Sequence, residues 1–425
     1  MKICDISSFY SDRGGGVRTY HHQKLDYFSR HSDHEYCMIV AGPRNEVEQV
    51  PGGRIYHVRG VPVSRNGVYR QIADCLEVAR VLRLERPDVI EVGSAYVDCW
   101  LAFAGSNGWD PLFVGFYHAD FPDTYMAPAV AGFPRVISRP FVDFWKRYVR
   151  FVYERFDATC VTSRYIEKKL ESFGVTNTFR VPLGVDTELF HPRHRDPSFR
   201  ESLGMKPGDK LALYVGRFWS EKGIDVLAEG VRHYRDRPGL HIVLVGDGTL
   251  EPVVRAAANS SPRVHVLGFV HEAERLARIY ASADLFLSPG PYETFGLSTL
   301  EALSSGVPVV AANNGGVSEL VGPTGTWGKL FIAHDPNDFV HCVDQMLEAD
   351  LPSLGRQARS FVEQSFSWDR TFRRMTDHYA ELLHAKRASA GVSARRDPGP
   401  RAIDREGVLV HRELGAPASG PRCCA

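Results

Sequence analysis

The chain has 425 residues, 44% of them hydrophobic and 24% charged, with 51 basic side chains against 51 acidic ones. That length and supply of core residues suit two globular domains plus extras and exclude a chain disordered throughout. The zero formal charge gives no whole-chain field for nucleic acid, and no apolar run approaches the roughly 18 residues of a membrane-crossing helix.

The start, Met1-Lys-Ile-Cys-Asp-Ile6, reads as a first core strand and lacks a signal-peptide pattern. Strands are expected at Lys2–Ile6, Tyr36–Val40, Arg54–Val58, Val89–Val92, Leu112–Tyr117 and Ala158–Thr162, with a last one within Asn177–Val185. Helices are expected near Val17–Ser29, Tyr69–Glu85 and Phe141–Phe156. This alternation predicts a parallel sheet with helices on both faces, in a first domain over 1–187. Residues 188–208, rich in Pro, His and Arg, read as a linker. A second series follows at Leu211–Val215, His241–Val245, Val264–Leu267, Leu285–Ser288, Pro308–Ala311 and Gly328–Phe331, in a second domain over 209–366. Ser367 is an N-cap for an amphipathic helix over 367–387, and the Ala/Arg/Gly/Pro-rich stretch 388–425 reads as a disordered tail. Two such domains leave a cleft between facing strand ends, a usual place for a small-molecule site.

The eight cysteines form no C-x2-C pair, which fits unbridged thiols in a reducing cytosol better than disulfides or zinc. Cys423-Cys424 near the end does not make a prenylation signal.

The most informative stretch is Pro291-Tyr-Glu-Thr-Phe-Gly-Leu-Ser-Thr-Leu-Glu301. Glu293 and Glu301 stand eight positions apart around Phe295-Gly296-Leu297, between one buried strand and the next. With the second half helical, the two carboxylates lie roughly 12 Å apart at most, about the span of a nucleotide-diphosphate sugar. The turn between them offers backbone N–H groups at a helix N-terminus, where a diphosphate binds well. On that reading Glu293 holds sugar hydroxyls and Glu301 the ribose diol. A Glu-x7-Glu spacing alone also arises by chance; its place at a strand–loop–helix junction, beyond the carboxyl end of a strand, makes it a site candidate.

A leaving diphosphate needs its charge neutralised as the glycosidic bond breaks. No Asp-x-Asp pair stands in the second half, so no metal or other cofactor is expected, and the charge falls to cations and backbone donors. Arg217, after strand Leu211–Val215, and Lys222, five positions on, are the candidates; without the surrounding motifs they would be ordinary loop cations. Gly14-Gly15-Gly16 follows the first strand and opens a helix, so its backbone can approach a phosphate or an acceptor sugar; the alternative is a flexible turn. It is not a dinucleotide fingerprint, because G-x-G-x-x-G is absent. His118 follows strand Leu112–Tyr117, where an imidazole facing the cleft would hydrogen-bond the donor sugar; Asp120, two residues on, either orients the acceptor or caps the next turn. Glu319, after Gly315-Gly316, can serve as a helix cap.

The run from about Leu211 to Glu319 resembles the donor domain of the retaining glycosyltransferases of family 4, the group 1 enzymes of GT-B fold. Tyr214-Val-Gly-Arg-Phe218, Glu221-Lys-Gly223, Leu244-Val-Gly-Asp-Gly248, Val266-Leu-Gly-Phe-Val270, the Glu293/Glu301 pair and Gly315-Gly316 carry that resemblance together. It extends over about residues 1–385 and is weaker in the first half. It implies an α/β fold of two doubly wound Rossmann-like domains facing a cleft, with the C-terminal helix crossing back to the first domain. It further implies that Arg217 and Lys222 contact the diphosphate. His118, Arg217, Lys222 and Glu293 are then the catalytic set. Gly15, Gly16, Gly268, Phe295, Gly296, Leu297 and Glu301 bind the donor, with Gly268 beside the nucleobase; Asp120 stays the acceptor candidate with a turn cap as its alternative.

One segment stands apart. Residues 134–156 combine Arg135, Arg139, Lys146, Arg147, Arg150 and Arg155 with Phe141, Phe144, Trp145, Tyr148, Phe151, Val152 and Phe156 at helical spacing. Basic and aromatic residues together suit an anionic membrane surface; the same stripe also suits a core-facing helix. The expected activity is transfer of a hexose from a UDP- or GDP-linked sugar to a hydroxyl of a lipid-linked or saccharide acceptor. It would be retaining and metal-independent, in the cytoplasm, at the inner face of the membrane where 134–156 binds lipid. The alternatives are a GT-B phosphorylase or epimerase, or a non-catalytic nucleotide-sugar or glycan-binding module.

Overall fold

The computed structural model describes residues 1–11, 15–31, 33–63, 69–259, 261–322 and 326–396, with side chains described to residue 389. Met1–Leu382 form one compact unit. Its first sheet comprises β1 (Lys2–Ser7), β2 (Glu35–Gly42), β3 (Glu46–Val50), β4 (Gly53–Pro62), β5 (Arg70–Ile72), β6 (Val89–Val92), β7 (Leu112–Phe116), β8 (Ala158–Val161) and β9 (Thr178–Arg180). The order is β3-β4-β2-β1-β6-β7-β8-β9, with β5 on β4. The second sheet comprises β10 (Lys210–Val215), β11 (Leu240–Val245), β12 (Val264–Gly268), β13 (Leu285–Ser288), β14 (Val309–Ala312) and β15 (Gly328–Phe331), in the order β12-β11-β10-β13-β14-β15. All its pairings are parallel. The strand order reverses beside β1 and again beside β10. In open α/β sheets ligands bind at such reversals, and the loops leaving β1, β10 and β13 carry Gly15-Gly16, Arg217 and Glu293.

The cores follow from the sequence pattern. The central strands are near-continuous β-branched and aliphatic runs buried on both faces, as parallel strands between helices must be. Beneath the second sheet, Tyr214, Phe218, Ile224, Leu227, Leu244, Phe331 and Phe339 pack into one cluster; each such side chain contributes about 1.5–3 kcal/mol by leaving water.

The first domain adds a buried charge network. Helix Gly16–Arg30 buries Tyr20, His21 and Lys24 together. Lys24 Nζ donates to both Asp5 oxygens at 2.9 Å, to Glu91 at 2.7 Å and to Tyr20 Oη at 3.1 Å. Burial works to lower the Lys24 pKa, but the Asp5 and Glu91 carboxylates outweigh it and hold it above its ordinary value. The C-terminal helix, Trp368–Arg396, returns to this network. Its Tyr379 Oη donates to Glu91 at 2.6 Å, Thr371 Oγ1 donates to the Pro182 carbonyl at 2.9 Å, and Asp369 pairs with Arg30 at 2.8 Å. The crossing back to the first domain is therefore made by specific polar contacts as well as by packing.

Several expectations need correction. Tyr69–Glu85 is not one helix: Arg70–Ile72 form β5, and the helix begins at Cys75, where the Asp74 carboxylate accepts the Glu77 N–H. The first sheet is mixed, since β3 and β5 both run antiparallel to β4. Only Thr178–Arg180 of the expected 177–185 strand is paired. The helix expected from Phe141 starts at Arg135 and carries Pro140 within it. Pro197–Ser202 is helical inside the expected linker, and Arg195 and Arg200 pair with Asp284, so that stretch packs on the second domain. Residues 388–396 of the expected tail continue the last helix; 397–425 lie outside the described residues.

Candidate active site

Glu293 and Lys222 meet. Lys222 Nζ donates to Glu293 Oε1 at 2.5 Å, joining the loop after β10 to the loop after β13. Arg217 lies beside them. Its guanidinium donates to Glu221 at 3.1 Å and to Tyr69 Oη at 3.5 Å, and stacks over Trp219 with its Cζ 5.1 Å from the ring centre. Burial alone would lower the Arg217 pKa; Tyr69, Glu221 and Tyr125 more than offset it and raise it, so the cation is fixed. Tyr69 and Tyr125 come from the first domain, so the second domain's cation sits on the cleft boundary.

Helix Leu297–Ser304 follows, with Gly296 at φ +100° as its N-cap and no side chain capping its first turn. The left-handed backbone there suits glycine. A Cβ built on Gly16 would stand 3.1 Å from Leu297 Cδ1. The start of helix Gly16–Arg30, likewise without a side-chain cap, thus lies against the start of helix Leu297–Ser304. Two helix N-termini without a side-chain cap thus meet, and the loop leading into one of them carries Glu293 paired with Lys222; helix N-termini favour anions. Gly14 lies outside the described residues.

Glu301 stands one turn into that helix and accepts a hydrogen bond from Tyr280 Oη at 2.9 Å. Burial pushes its carboxyl up to about 7, with the Tyr280 bond partly opposing. His118 stacks on Phe116, ring centres 3.9 Å apart, with Tyr20 edge-on at 5.3 Å. Burial, reinforced by neighbouring His21, pushes it down to about 3, so the ring is neutral. Its Nε2 is buried with no hydrogen-bond partner among the described residues. A neutral imidazole with an unmet polar atom suits a sugar hydroxyl better than a charge.

Other expected residues hold different positions. The Phe295 side chain is buried toward Phe366, so only its backbone can serve a ligand. Gly268 ends β12, where nothing would meet an added Cβ, and its carbonyl accepts the Gly246 N–H at 2.9 Å. Asp120 is buried, ion-paired with Lys169 and bonded by Tyr117 Oη at 3.1 Å, so its carboxylate is occupied. Among the described residues no three His, Cys, Asp or Glu side chains come together as a metal-binding group.

Sequence reasoning missed the residues joining the two halves. Thr294 Oγ1 donates to the His118 carbonyl at 3.0 Å, and Thr162 and Ser163 hydroxyls donate to the Thr294 carbonyl at 3.1 and 2.8 Å. Glu319 does cap a helix, but one belonging to the first domain: it accepts the N–H groups of Arg164 and Tyr165 at 3.1 and 2.6 Å. No local pattern signals bonds between residues more than 100 positions apart. Tyr69 and Tyr280 likewise carried no sequence signal.

Two facing Rossmann-like domains with this cleft define a GT-B enzyme. Residues 14–189 match the model of Glycosyltransferase Family 4, and residues 209–349 match that of Glycosyl transferases group 1. The chain belongs to this glycosyltransferase family. It is 28% identical over 402 residues to a GDP-mannose-dependent alpha-(1-6)-phosphatidylinositol dimannoside mannosyltransferase of Mycobacterium tuberculosis, covering 93% of this chain and 95% of the relative. A GDP-mannose-dependent alpha-mannosyltransferase of Corynebacterium glutamicum is 26% identical over 90% of this chain and 89% of its own. Among solved structures, sucrose-phosphate synthase of Thermosynechococcus elongatus has the same fold at a TM-score of 0.74 and 22% identity, covering 91% of this chain and all of that one. Anabaena HepE, solved with UDP and glucose, aligns at 0.67 and 18%, over 89% and 99%.

Proposed function

We propose that this glycosyltransferase moves a mannosyl or related hexosyl group from a nucleotide-diphosphate sugar to a hydroxyl of a lipid-linked acceptor, with retention and without a metal. The donor's diphosphate lies between the two helix N-termini and is neutralised by Arg217 and Lys222. Glu293 and neutral His118 hold the sugar, and Glu301 holds the ribose. The acceptor oxygen bonds to the anomeric carbon on the face from which the diphosphate departs. The carbon–oxygen bond to phosphate breaks, and the acceptor proton passes to the leaving phosphate oxygen. The relatives named for GDP-mannose, matched along nearly their whole length, support GDP-mannose as the donor.

The observation that carries the lipid acceptor is a row of aromatic rings. It starts at Tyr125, against Arg217. It continues through Phe121 (6.0 Å between centres) and Trp145 (5.1 Å) to Phe144 and Phe141 (5.4 and 6.3 Å). The latter two lie on helix Arg135–Tyr153, which buries only Val149, Val152 and Tyr153 among its residues. Val136 is 78% exposed, Phe144 59%, Phe133 56% and Ile137 52%, interleaved with Arg135, Arg139 and Arg147. So much exposed apolar surface beside cations is a membrane-facing pattern, and it supports a location at an anionic membrane face. Among the described residues no helix is long and apolar enough to cross a membrane.

The test is sedimentation with anionic phospholipid vesicles across a salt series. The protein should bind at low salt and come off as salt rises, because exposed charges are screened beyond about 8–10 Å at physiological ionic strength. Changing Arg139, Lys146 and Arg150 to Glu should abolish binding while donor hydrolysis persists. A wild type that ignores anionic vesicles at low salt would leave a saccharide as the better acceptor.

A further inference from the structure

The donor loop is held from the other domain on both sides of Glu293. On one side, Asn314 Nδ2 donates to the Pro291 carbonyl at 2.7 Å, while Asn314 Oδ1 accepts from Tyr165 Oη of the first domain at 3.0 Å. On the other side, the Thr294 carbonyl takes the Thr162 and Ser163 hydroxyls. Backbone packing enforces the register. The Gly316 N–H donates to the Glu293 carbonyl at 2.6 Å, and a Cβ on Gly316 would fall 2.1 Å from the Thr294 carbonyl oxygen and 2.7 Å from Ser163 Oγ. No larger residue fits there: the nearest clash lies within the second domain, at Thr294, and the next is with Ser163 of the first.

These bonds converge on the N-terminus of helix Arg164–Phe173, whose first-turn donors need partners. Ser163, the N-cap, accepts the Ile166 N–H, but the N–H groups of Arg164 and Tyr165 go to Glu319. The helix cap is thus completed by a carboxylate from the opposite domain, where its charge also complements the helix dipole. This arrangement exists only when the domains are together.

We propose that Glu319 is a positioning residue: it clasps the two domains shut and thereby fixes Glu293 and Thr294 against His118. Opening the cleft breaks both N–H bonds to Glu319, an exposed carboxylate at this edge, so closure gains an exposed charge-assisted helix cap at the point tied to the loop that holds the reacting sugar. The turnover part of the test rests on the glycosyl-transfer reading; the shape part does not.

Glu319→Ala and Glu319→Gln are compared with wild type by solution X-ray scattering, by titration with GDP and UDP, and by turnover of the matching nucleotide sugar. Glu319→Ala should raise the radius of gyration with unchanged circular dichroism. It should lower turnover roughly 10- to 100-fold while leaving nucleotide affinity within about twofold, since the proposed ribose and diphosphate contacts are mostly in the second domain. Glu319→Gln should recover part of the loss, because its carbonyl accepts one of the two N–H groups. Tyr165→Phe, which removes only the bond to Asn314, should shift the same readouts less. Turnover and affinity falling together would overturn the proposal, since Glu319 would then merely order its own domain; so would unchanged scattering and turnover in Glu319→Ala. A wild type that binds neither GDP nor UDP would sink the donor reading instead and leave scattering to decide the clasp.

Discussion

Two lysines, each in an ion pair, separate architecture from chemistry in this molecule. Lys24 is 1% exposed and is surrounded by Asp5, Glu91 and Tyr20, every donor direction filled. The Lys222 side chain is 23% exposed and meets one carboxylate, Glu293, at the mouth of a cleft. Both pairs are short. What differs is how the two ammonium groups are met: Lys24 has every donor filled by buried partners, although neighbouring His21 keeps an unpartnered Nε2 among the described residues, whereas Lys222 meets a single carboxylate and has donors left for a ligand. The Glu293 loop that Lys222 meets leads into a helix N-terminus without a side-chain cap, and His118 Nε2 is buried with no partner among the described residues. Unmet polar capacity in a water-poor place marks a binding site better than the presence of charge does.

Removing each lysine sharpens this contrast. Lys24→Met strands Asp5 and Glu91 as buried neighbouring carboxylates; breaking a buried ion network this way costs about 3–5 kcal/mol. Denaturant unfolding should show that loss, and folded Lys24→Met of wild-type stability would mean that the network is no keystone. Lys222→Ala should leave stability nearly unchanged but lower turnover about 10²–10³-fold, since it removes a charge interaction that grows as the diphosphate leaves. A chelator should leave the wild type active; activity lost in chelator and restored by Mg²⁺ or Mn²⁺ would contradict the metal-free proposal.

Glu301 gives a smaller, pH-dependent effect. Its carboxyl is pushed up to about 7 by burial, so the folded protein holds this proton at pH values where an exposed glutamate has lost it. Hydrogen bonds from a ribose diol favour the carboxylate. Nucleotide affinity should therefore rise between about pH 6 and pH 8, with proton release on binding visible in calorimetry across buffers of different ionisation enthalpy. Glu301→Gln should flatten that pH dependence and weaken the nucleotide more than it lowers turnover. An unaltered affinity profile in Glu301→Gln would remove the ribose assignment.

Only one side of this contrast was legible in the sequence: Lys222 and Glu293 stood out by their place after strands, whereas nothing local marked Lys24 as the centre of a network with Asp5 and Glu91. Val89–Val92, Leu285–Ser288 and Gly328–Phe331 are strands at the expected residues, because short apolar runs bounded by loops leave little freedom of register. The loop proposed to hold the donor stood out in the sequence because Glu293, Gly296 and Glu301 lie within one strand–turn–helix unit. Arg70–Ile72 was lost in a longer amphipathic run, since three residues are too few to show a period of two. Pro140 hid the true start of helix Arg135–Tyr153. The aromatic stripe there left core and membrane open on spacing alone, and the structure leaves its first half exposed while burying Val149 and Val152. The clasp was illegible, because Ser163, Thr294 and Glu319 meet only through the closure of two domains.

The central claim is that this cleft holds a nucleotide-diphosphate sugar with Lys222 and Glu293 at the reacting end. The most direct measurement is release of nucleoside diphosphate from a panel of GDP- and UDP-sugars without acceptor, for the wild type, Lys222→Ala and Glu293→Gln. Slow release from one donor, GDP-mannose first among them, and its loss in both variants is the predicted result. No release or binding with any donor, or equal release by wild type and Lys222→Ala, would contradict it.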